Sequence, residues 1–353
     1  MTETLPGGKG RQRPLVIAAL LALVVCAAAF LPARTKHAEA GASTRRFPHV
    51  RIGLVFDIGG RGDKSFNDAA YEGLARAERE LGVSVSYLEP SGSEDREAAL
   101  RLFASRGYDL VIGVGFIFSS DVDAVARAYP AIHFACIDYF SGPSGIPDNV
   151  VALAFREEEG SYLVGAVAGL TSTSKHVGFV GGMTGPLIKK FELGYAAGVV
   201  AACPSCTVHV GYAGTTPDAY RDPAKGKAIA LSHISSGADV IYHASGATGH
   251  GVFEAAKASG VRAIGVDSDQ HDEMPGTVIT SMIKRADVAV YNTILAVAEQ
   301  SFHGGFHVFG LKEDGVDFVH EGPHAAELSE AVKRKVEELR AQVVSGVTTV
   351  PSK

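Results

Sequence analysis

The stretch IGLVFDIGGRGDKSFNDAAYEG, residues 52–73, is answered without a gap by VGFVGGMTGPLIKKFELGYAAG, residues 177–198. At a constant offset of 125 residues, Ile52-Gly53-Leu54-Val55 meets Val177-Gly178-Phe179-Val180, Phe66 meets Phe191 and Gly73 meets Gly198. The same offset pairs Val85 with Val210 and Tyr87 with Tyr212. Further on it drifts by a few residues, as loop insertions cause: GYDLVIGVG from Gly107 answers GADVIYHASG from Gly237, and Ile137-Asp138 answers Val266-Asp267. Any two doubly wound sheets share glycines and Val/Ile runs, but chance does not keep aromatic positions in step. A self-similarity of this kind indicates a duplicated half.

Each half alternates short apolar runs with amphipathic stretches, which indicates βαβ units and parallel strands. Strands are expected at 51–56, 83–88, 110–114, 132–137 and 150–154, and again at 177–180, 207–212, 240–243, 263–266 and 278–280. A chain of 353 residues with 46% hydrophobic content is long enough for two such α/β lobes. The net charge of −6 supplies no basic field to hold a polyanion, so nucleic acid is not an expected partner.

Residues 1–42 read as a signal peptide or N-terminal membrane anchor. Lys9, Arg11 and Arg13 precede an apolar run, 15–31, that lies between Pro14 and Pro32, and Ala38-Glu39-Ala40 offers a small-x-small cleavage pattern. The run is shorter than the ~20 residues of a bilayer span but longer than a usual signal core, so membrane association through it stays open. Cys26 is a weaker lipidation site, because Val25 is bulky and the apolar run continues beyond it. The positive flank places the body of the protein outside the cytoplasm, in the periplasm or on the outer face of the membrane. In that compartment Cys203 and Cys206 of ACPSCTV favour a local disulfide over a redox pair or half a zinc site. Cys136, within an apolar run, reads as a buried thiol.

The unusual loops, 57–67, 115–120, 138–145, 181–186, 213–222, 245–251 and 267–272, all follow expected strands. Ligands of open parallel sheets sit beyond the carboxyl ends of the strands, so two facing lobes would form a cleft there. Ser65, Phe116 and Asp138 fall in these loops and are candidate ligand contacts. Asp57 and Asp267 stand directly after strands, where a carboxylate either accepts from vicinal sugar hydroxyls or caps a turn. Phe66 opens a helix that Ser65 or Asn67 can cap; it is either a staple folded onto that helix or a platform for a planar ring. SGATGHG (245–251) places glycines after a strand, which lets backbone approach a ligand. Lys284 and Arg285 are cations expected at the cleft mouth, or simply the start of a helix.

No G-x-S-x-G elbow, HExxH pair or P-loop is present in the sequence. His303 and His307 are four apart, but the two glycines between them argue against a helical metal pair. No cofactor and no metal are expected. His243 and His250 read as strand-end and loop residues.

DIGGRGDKSFNDAAYEG, REEEGSYLVGAVAG, DPAKGKAIA, SGATGHG, GVDSDQ and TSMIKRAD occur in that order, and with them the chain resembles the basic membrane protein, or PnrA-like, family of ABC-transporter substrate-binding proteins. The resemblance covers about residues 51–315. It implies the type I periplasmic-binding-protein fold, two doubly wound parallel-sheet lobes joined by hinge crossovers and closing on a nucleoside. The lobes would comprise 48–154 with about 283–307, and 155–282 with about 308–350. Carried across, Phe66 resembles the aromatic that stacks on the base, and Tyr220 stands where the family usually has a second stacking Phe or Trp. Asp57 and Asp267 resemble ribose-binding carboxylates, with Asp269 competing for the latter role. Asn67 resembles a base-edge contact, Gly246 a backbone contact and Lys284 a ribose contact. The function so implied is a monomeric extracytoplasmic receptor that hands a nucleoside, foremost a purine nucleoside, to an ABC permease without chemistry. Two alternatives remain: a nucleoside-processing enzyme using Asp57 with His243 or Asp267, and an anchored nucleoside sensor.

Overall fold

The computed structural model describes residues 46–90, 95–142 and 144–353, and the export, cleavage and lipidation features read from residues 1–42 lie outside them. Strands are numbered along the chain. The first sheet holds β1 (Arg51–Val55), β2 (Ser84–Leu88), β3 (Leu110–Gly113), β4 (His133–Ile137), β5 (Val150–Phe155) and β11 (Gly305–Phe309). The second holds β6 (His176–Met183), β7 (Thr207–Gly214), β8 (Val240–Ala244), β9 (Arg262–Asp267), β10 (Val278–Lys284) and β12 (Val316–Phe318). Their orders are β11-β5-β4-β3-β1-β2 and β12-β10-β9-β8-β6-β7, the same order twice. All pairings are parallel except β10 with β12. Val85 of β2 and Val210 of β7, matched in sequence, therefore sit on equivalent edge strands.

The helices are α1 (Phe66–Leu81), α2 (Asp95–Ser105), α3 (Ser119–Ala128), α4 (Glu157–Thr171), α5 (Pro186–Ala202), α6 (Pro223–Ser235), α7 (Gly249–Ser259), α8 (Ala286–Ala298) and α9 (Glu330–Val344). Two of them change partners at the crossovers. Helix α4 leaves β5 of the first sheet but packs on α5, β10 and β12, and α8 leaves β10 of the second sheet but packs on α1. Both contacts bring backbones together at a glycine. A Cβ on Gly73 would stand 2.3 Å from the Asp287 carbonyl oxygen, and one on Gly198 would stand 1.9 Å from that of Tyr162. The two glycines matched in sequence thus serve the same close approach in the two lobes.

Helix α4 is buried almost all round, from Gly160 to Gly169, as expected of a helix enclosed between a sheet and other helices. Helix α9 covers part of it with Val336, Leu339 and Val343. The chain passes between the sheets three times, after β5, after β10 and after β11. Backbone hydrogen bonds knit the crossings together: Arg156 N–H donates to Phe309 O and Arg285 N–H to Gly315 O, both at 2.9 Å.

Strands β11 and β12 were not expected from the sequence. β11 is an edge strand with Phe306 and Val308 exposed, so no buried apolar run marks it, and β12 has only three residues. The segment around His303 and His307, doubtful as a helix, leads into and forms β11. Strands β6 and β10 also run further than expected, to Met183 and Lys284, because Gly181-Gly182 and Ser281 read as strand breakers. Cys203 and Cys206 are joined in a disulfide between the end of α5 and the start of β7, with Cα atoms 5.4 Å apart. Cys136 is a buried free thiol in β4. Among the described residues, no helix is long and apolar enough to cross a membrane.

Candidate functional site

The carboxyl ends of β1, β3 and β4 in one lobe face those of β6, β8 and β9 in the other around one cleft. It holds about 580 Å³ of empty space, counting the part open to solvent, within the ~300–1,000 Å³ of small-molecule sites. Asp57, Phe66, Asn67, Phe116 and Asp138 line it from the first lobe, and Tyr220, Gly246 and Asp267 from the second. Three residues expected at the site, Ser65, Asp269 and Lys284, do not line it.

The loop after β1 is organised by Asp63, which the sequence reading did not single out. Its Oδ1 accepts from the backbone N–H of Ser65 (2.9 Å) and Asp68 (3.1 Å), and its Oδ2 from the N–H of Asn67 (2.9 Å) and Asn67 Nδ2 (3.0 Å). Asp63 therefore caps α1, in place of the expected Ser65 or Asn67. The side chains it releases go elsewhere: Asn67 Oδ1 accepts from the Asp57 N–H at 3.0 Å, and Ser65 Oγ donates to Asp267 Oδ2 at 2.5 Å, across to the other lobe. Held between them, the Phe66 ring lies along the cleft.

Facing it are residues at the start of α5, Leu187, Ile188 and Phe191, none of which was named from the sequence as a site residue. The signal for one of them was present, since the 125-residue offset pairs Phe191 with Phe66. Tyr220 fits where Gly182 has no side chain; a Cβ there would stand 2.3 Å from Tyr220 Cε1. Burial, with Asp57 and Asp138 nearby, raises the Tyr220 phenol well above its usual range, so it stays neutral. Gly246 has φ of +55° and a Cβ there would meet Tyr220 O at 3.3 Å, so both dihedral and space favour glycine.

Four carboxylates line the cleft, Asp57, Asp63, Asp138 and Asp267. Burial raises Asp57 to about 7; the Ile58 N–H, 2.6 Å from Oδ1, pulls the other way, and Asp138 adds to the rise. Burial likewise raises Asp267 to about 6, against the pull of Lys284 and of the Ser65 hydroxyl. Asp138 and Asp267 occupy matched places after β4 and at the end of β9, and both have positive φ, 62° and 66°. Aspartate is one of the few residues other than glycine found in this region, and such dihedrals cluster at functional sites.

Lys284 is not at the cleft mouth. It is 2% exposed, at the end of β10. Its Nζ lies 2.6 and 2.7 Å from the Asp138 carboxylate oxygens and 3.1 Å from Glu157 Oε1. It also lies 4.9 Å from the Phe66 ring centroid and 5.0 Å from that of Phe155. Burial opposes its charge, but Asp138, Glu157 and Asp267 outweigh burial and its pKa is raised. Lys190 pairs with both Glu157 and Glu158, extending the network beneath the site. A lysine after a strand reads as solvent-exposed when its partners come from distant segments, which explains the misplacement. Arg285 is exposed and pairs with Asp287 at 3.0 Å. Asp269 is exposed outside the cleft, 2.7 Å from His324 Nδ1, so of the two competing aspartates only Asp267 lines it. His243 is buried with Nε2 3.0 Å from Gln270 Oε1 and does not line the cleft. Burial depresses its pKa to about 3, so its ring is neutral.

The lobes also touch beside the cleft, where Gln270 Nε2 donates to Lys64 O at 3.0 Å next to the Ser65–Asp267 bond. The arrangement offers aromatic faces for a flat ring and acceptor-only groups for hydroxyls.

The family model for ABC transporter substrate-binding proteins, PnrA-like, matches residues 50–353. The ABC transporter nucleoside-binding protein BmpA of Lactococcus lactis is 30% identical, over 96% of this chain and 99% of its own. An uncharacterized lipoprotein of Pyrococcus abyssi is 36% identical, over 76% of this chain and 69% of its own. Among solved structures, an ABC transporter system solute-binding protein from Aeropyrum pernix superposes with a TM-score of 0.77 at 32% identity, covering 86% of this chain and 94% of its own.

Proposed function

The chain belongs to the PnrA-like family of ABC transporter substrate-binding proteins, and from that premise we propose that it captures a nucleoside, foremost a purine nucleoside, and delivers it to an ABC permease. Phe66 carries the base on one face, with Phe191 and Tyr220 completing an aromatic enclosure. Asp57 and Asp267 accept from the sugar hydroxyls, and Asn67 and the Gly246 backbone meet the base edge. Lys284 acts beneath the site, holding Asp138 in place, rather than on the ribose. The three crossings between the sheets serve as the hinge, with lobes of 48–154 plus about 283–307 and 155–282 plus about 308–350.

One observation carries this reading: two phenylalanines related by the duplication and a strand-end carboxylate, Asp57, line the same cleft, beside which Ser65 and Asp267 join the lobes. The nucleoside-binding name of the Lactococcus relative supports the ligand class, and the lipoprotein name of the Pyrococcus relative supports an extracytoplasmic site of action. The test is a thermal-shift panel of nucleosides against the mature protein. A ligand at 100 times its Kd adds ~2.7 kcal/mol of stability, and a panel without a shift for any purine or pyrimidine nucleoside refutes the ligand assignment. Recovery of unchanged nucleoside after incubation separates a receptor from an enzyme, which would yield free base. Mass spectrometry of the mature N-terminus, with a start at Gly41 or Ser43, separates a released receptor from an anchored sensor.

A further inference from the structure

The second lobe carries a cluster of donors outside the cleft, on two short turns, His271–Glu273 and Pro323–Glu327. His324 Nδ1 lies 2.7 Å from Asp269 Oδ2, and His271 Nε2 lies 3.3 Å from Glu327 Oε1. Each ring thus has one nitrogen facing a carboxylate of its own. The other nitrogens, His324 Nε2 and His271 Nδ1, both face a third carboxylate atom, Asp272 Oδ1, at 3.3 and 3.5 Å. The rings are stacked, with centroids 4.2 Å apart and an interplanar angle of 18°.

We propose that His271, Asp272 and His324 form a binding site for a divalent transition-metal ion of the Zn²⁺ class, with Asp269 and Glu327 orienting the two imidazoles. One ligand atom from each of the three residues lies within 4.8 Å of the others. Ligands ~2.0–2.1 Å from a tetrahedral zinc stand ~3.3–3.4 Å from one another, close to the 3.3 and 3.5 Å between the Asp272 oxygen and the two ring nitrogens. A single Asp272 oxygen thus faces both rings, as sharing one cation with them requires. A histidine that ligates a metal almost always gives its other N–H to a carboxylate, carbonyl or water, and Asp269 and Glu327 stand in that place. Imidazole donates in its ring plane, so binding one cation turns the two rings out of this stack. Nitrogen with carboxylate donors favours zinc, nickel or copper over calcium or magnesium. The fourth position is left to water, since the turns lie at the surface.

The test is a zinc titration of chelator-treated mature protein against a chromophoric zinc indicator. One equivalent per chain is expected, unaffected by millimolar Mg²⁺ or Ca²⁺. The variant combining His271→Ala and His324→Ala loses that equivalent, and Asp269→Asn weakens it ~10–100-fold. The control combining His303→Ala and His307→Ala, exposed on and before β11, retains it. A wild-type protein that takes up no zinc, or a double variant at His271 and His324 that still takes up one equivalent, overturns the site. Circular dichroism of the double variant keeps a folding loss from passing as a binding loss, and Asp269→Asn, which leaves both imidazoles in place, repeats the test independently. None of these readouts depends on the ligand of the cleft.

Discussion

Asp57→Asn should make the ligand-free protein more stable at pH 8 while weakening its hold on nucleoside. Burial raises the Asp57 carboxyl from its ordinary value of 3.8 to about 7 in the folded chain. A carboxyl whose pKa is raised on folding is ionised at a cost above that pKa, because the unfolded chain bears the charge in water. Between pH 3.8 and 7 the folded state therefore binds more protons than the unfolded one, and stability falls as pH rises through that window. A shift of about three units corresponds to about 4 kcal/mol at full ionisation, a ceiling that relaxation of the cleft lowers. Asparagine keeps the shape and the acceptor for the Ile58 N–H, 2.6 Å from Oδ1, and removes the charge. Thermal melts should put the variant several degrees above wild type at pH 8, with the advantage shrinking steadily below pH 7 and gone near pH 4. Calorimetry should show the opposite effect on binding. Sugar hydroxyls donate to the ionised form, so wild-type affinity falls from pH 7 to pH 5 with proton release, whereas the variant binds more weakly and keeps only the part of that dependence that Asp267, raised to about 6, contributes. A variant that melts at or below wild type at pH 8 refutes the cost assigned to the buried charge.

Phe66→Ala should weaken nucleoside binding by ~1–3 kcal/mol with the fold intact; unchanged affinity by calorimetry would return the ring to a role as a helix staple. Lys284→Met strands Asp138, 2.6 Å from the ammonium, and leaves Glu157 with Lys190 alone, and denaturant titration should show a loss of ~3–5 kcal/mol. Ser65→Ala removes a bond between the lobes, so nucleoside affinity should fall several-fold by calorimetry while the ligand-free melting temperature stays unchanged. Gly198→Ala drives a Cβ to 1.9 Å from the Tyr162 carbonyl oxygen; separating α4 from α5 should cost ~1–3 kcal/mol in denaturant titration.

The features legible in the sequence were those set by local pattern or by repetition. Alternating apolar and amphipathic runs locate the central strands, and the ungapped match of 52–73 to 177–198 indicates a duplicated half, with which the identical order of the two sheets agrees. Features depending on partners far along the chain were not legible. β11 has its edge side chains exposed and is held by backbone pairing to β5, from Gly305 against Val151 to Phe309 against Phe155, which leaves no apolar signature. Asp63 and Lys284 show the same limit within the site. The first captures N–H groups that the sequence offered equally to Ser65 and Asn67. The second is buried only because Asp138, after β4 of the other sheet, and Glu157, at the start of α4, come to it. Phe191 is the reverse case, since its place opposite Phe66 follows from the repeat itself once the lobes face each other.

Duplication also explains how a symmetric scaffold acquires a one-sided charge network. The repeat keeps an aromatic in the first two turns of α1 and α5 and an aspartate of positive φ at 138 and 267. It does not keep the ends of β5 and β10, where Phe155-Arg156-Glu157 stands against Lys284-Arg285-Ala286. These segments lead into the paired crossovers, and the Lys284 ammonium lies 5.0 Å from the Phe155 ring centroid. Had both positions kept lysine, two buried cations would meet between the lobes; had both kept phenylalanine, Asp138 would lose the lysine it pairs with and Glu157 would have Lys190 alone. Divergence of the pair leaves one cation, flanked by an aromatic ring and by carboxylates from the first lobe and the crossover helix. Opening the cleft by rotation about the crossings must therefore keep the Lys284–Asp138–Glu157 contact as its pivot, because breaking it would leave buried charges unpaired at a cost of several kcal/mol. The contacts free to part are the hydrogen bonds of Ser65 and Gln270 between the lobes, and the ligand has to supply the interactions that hold them closed.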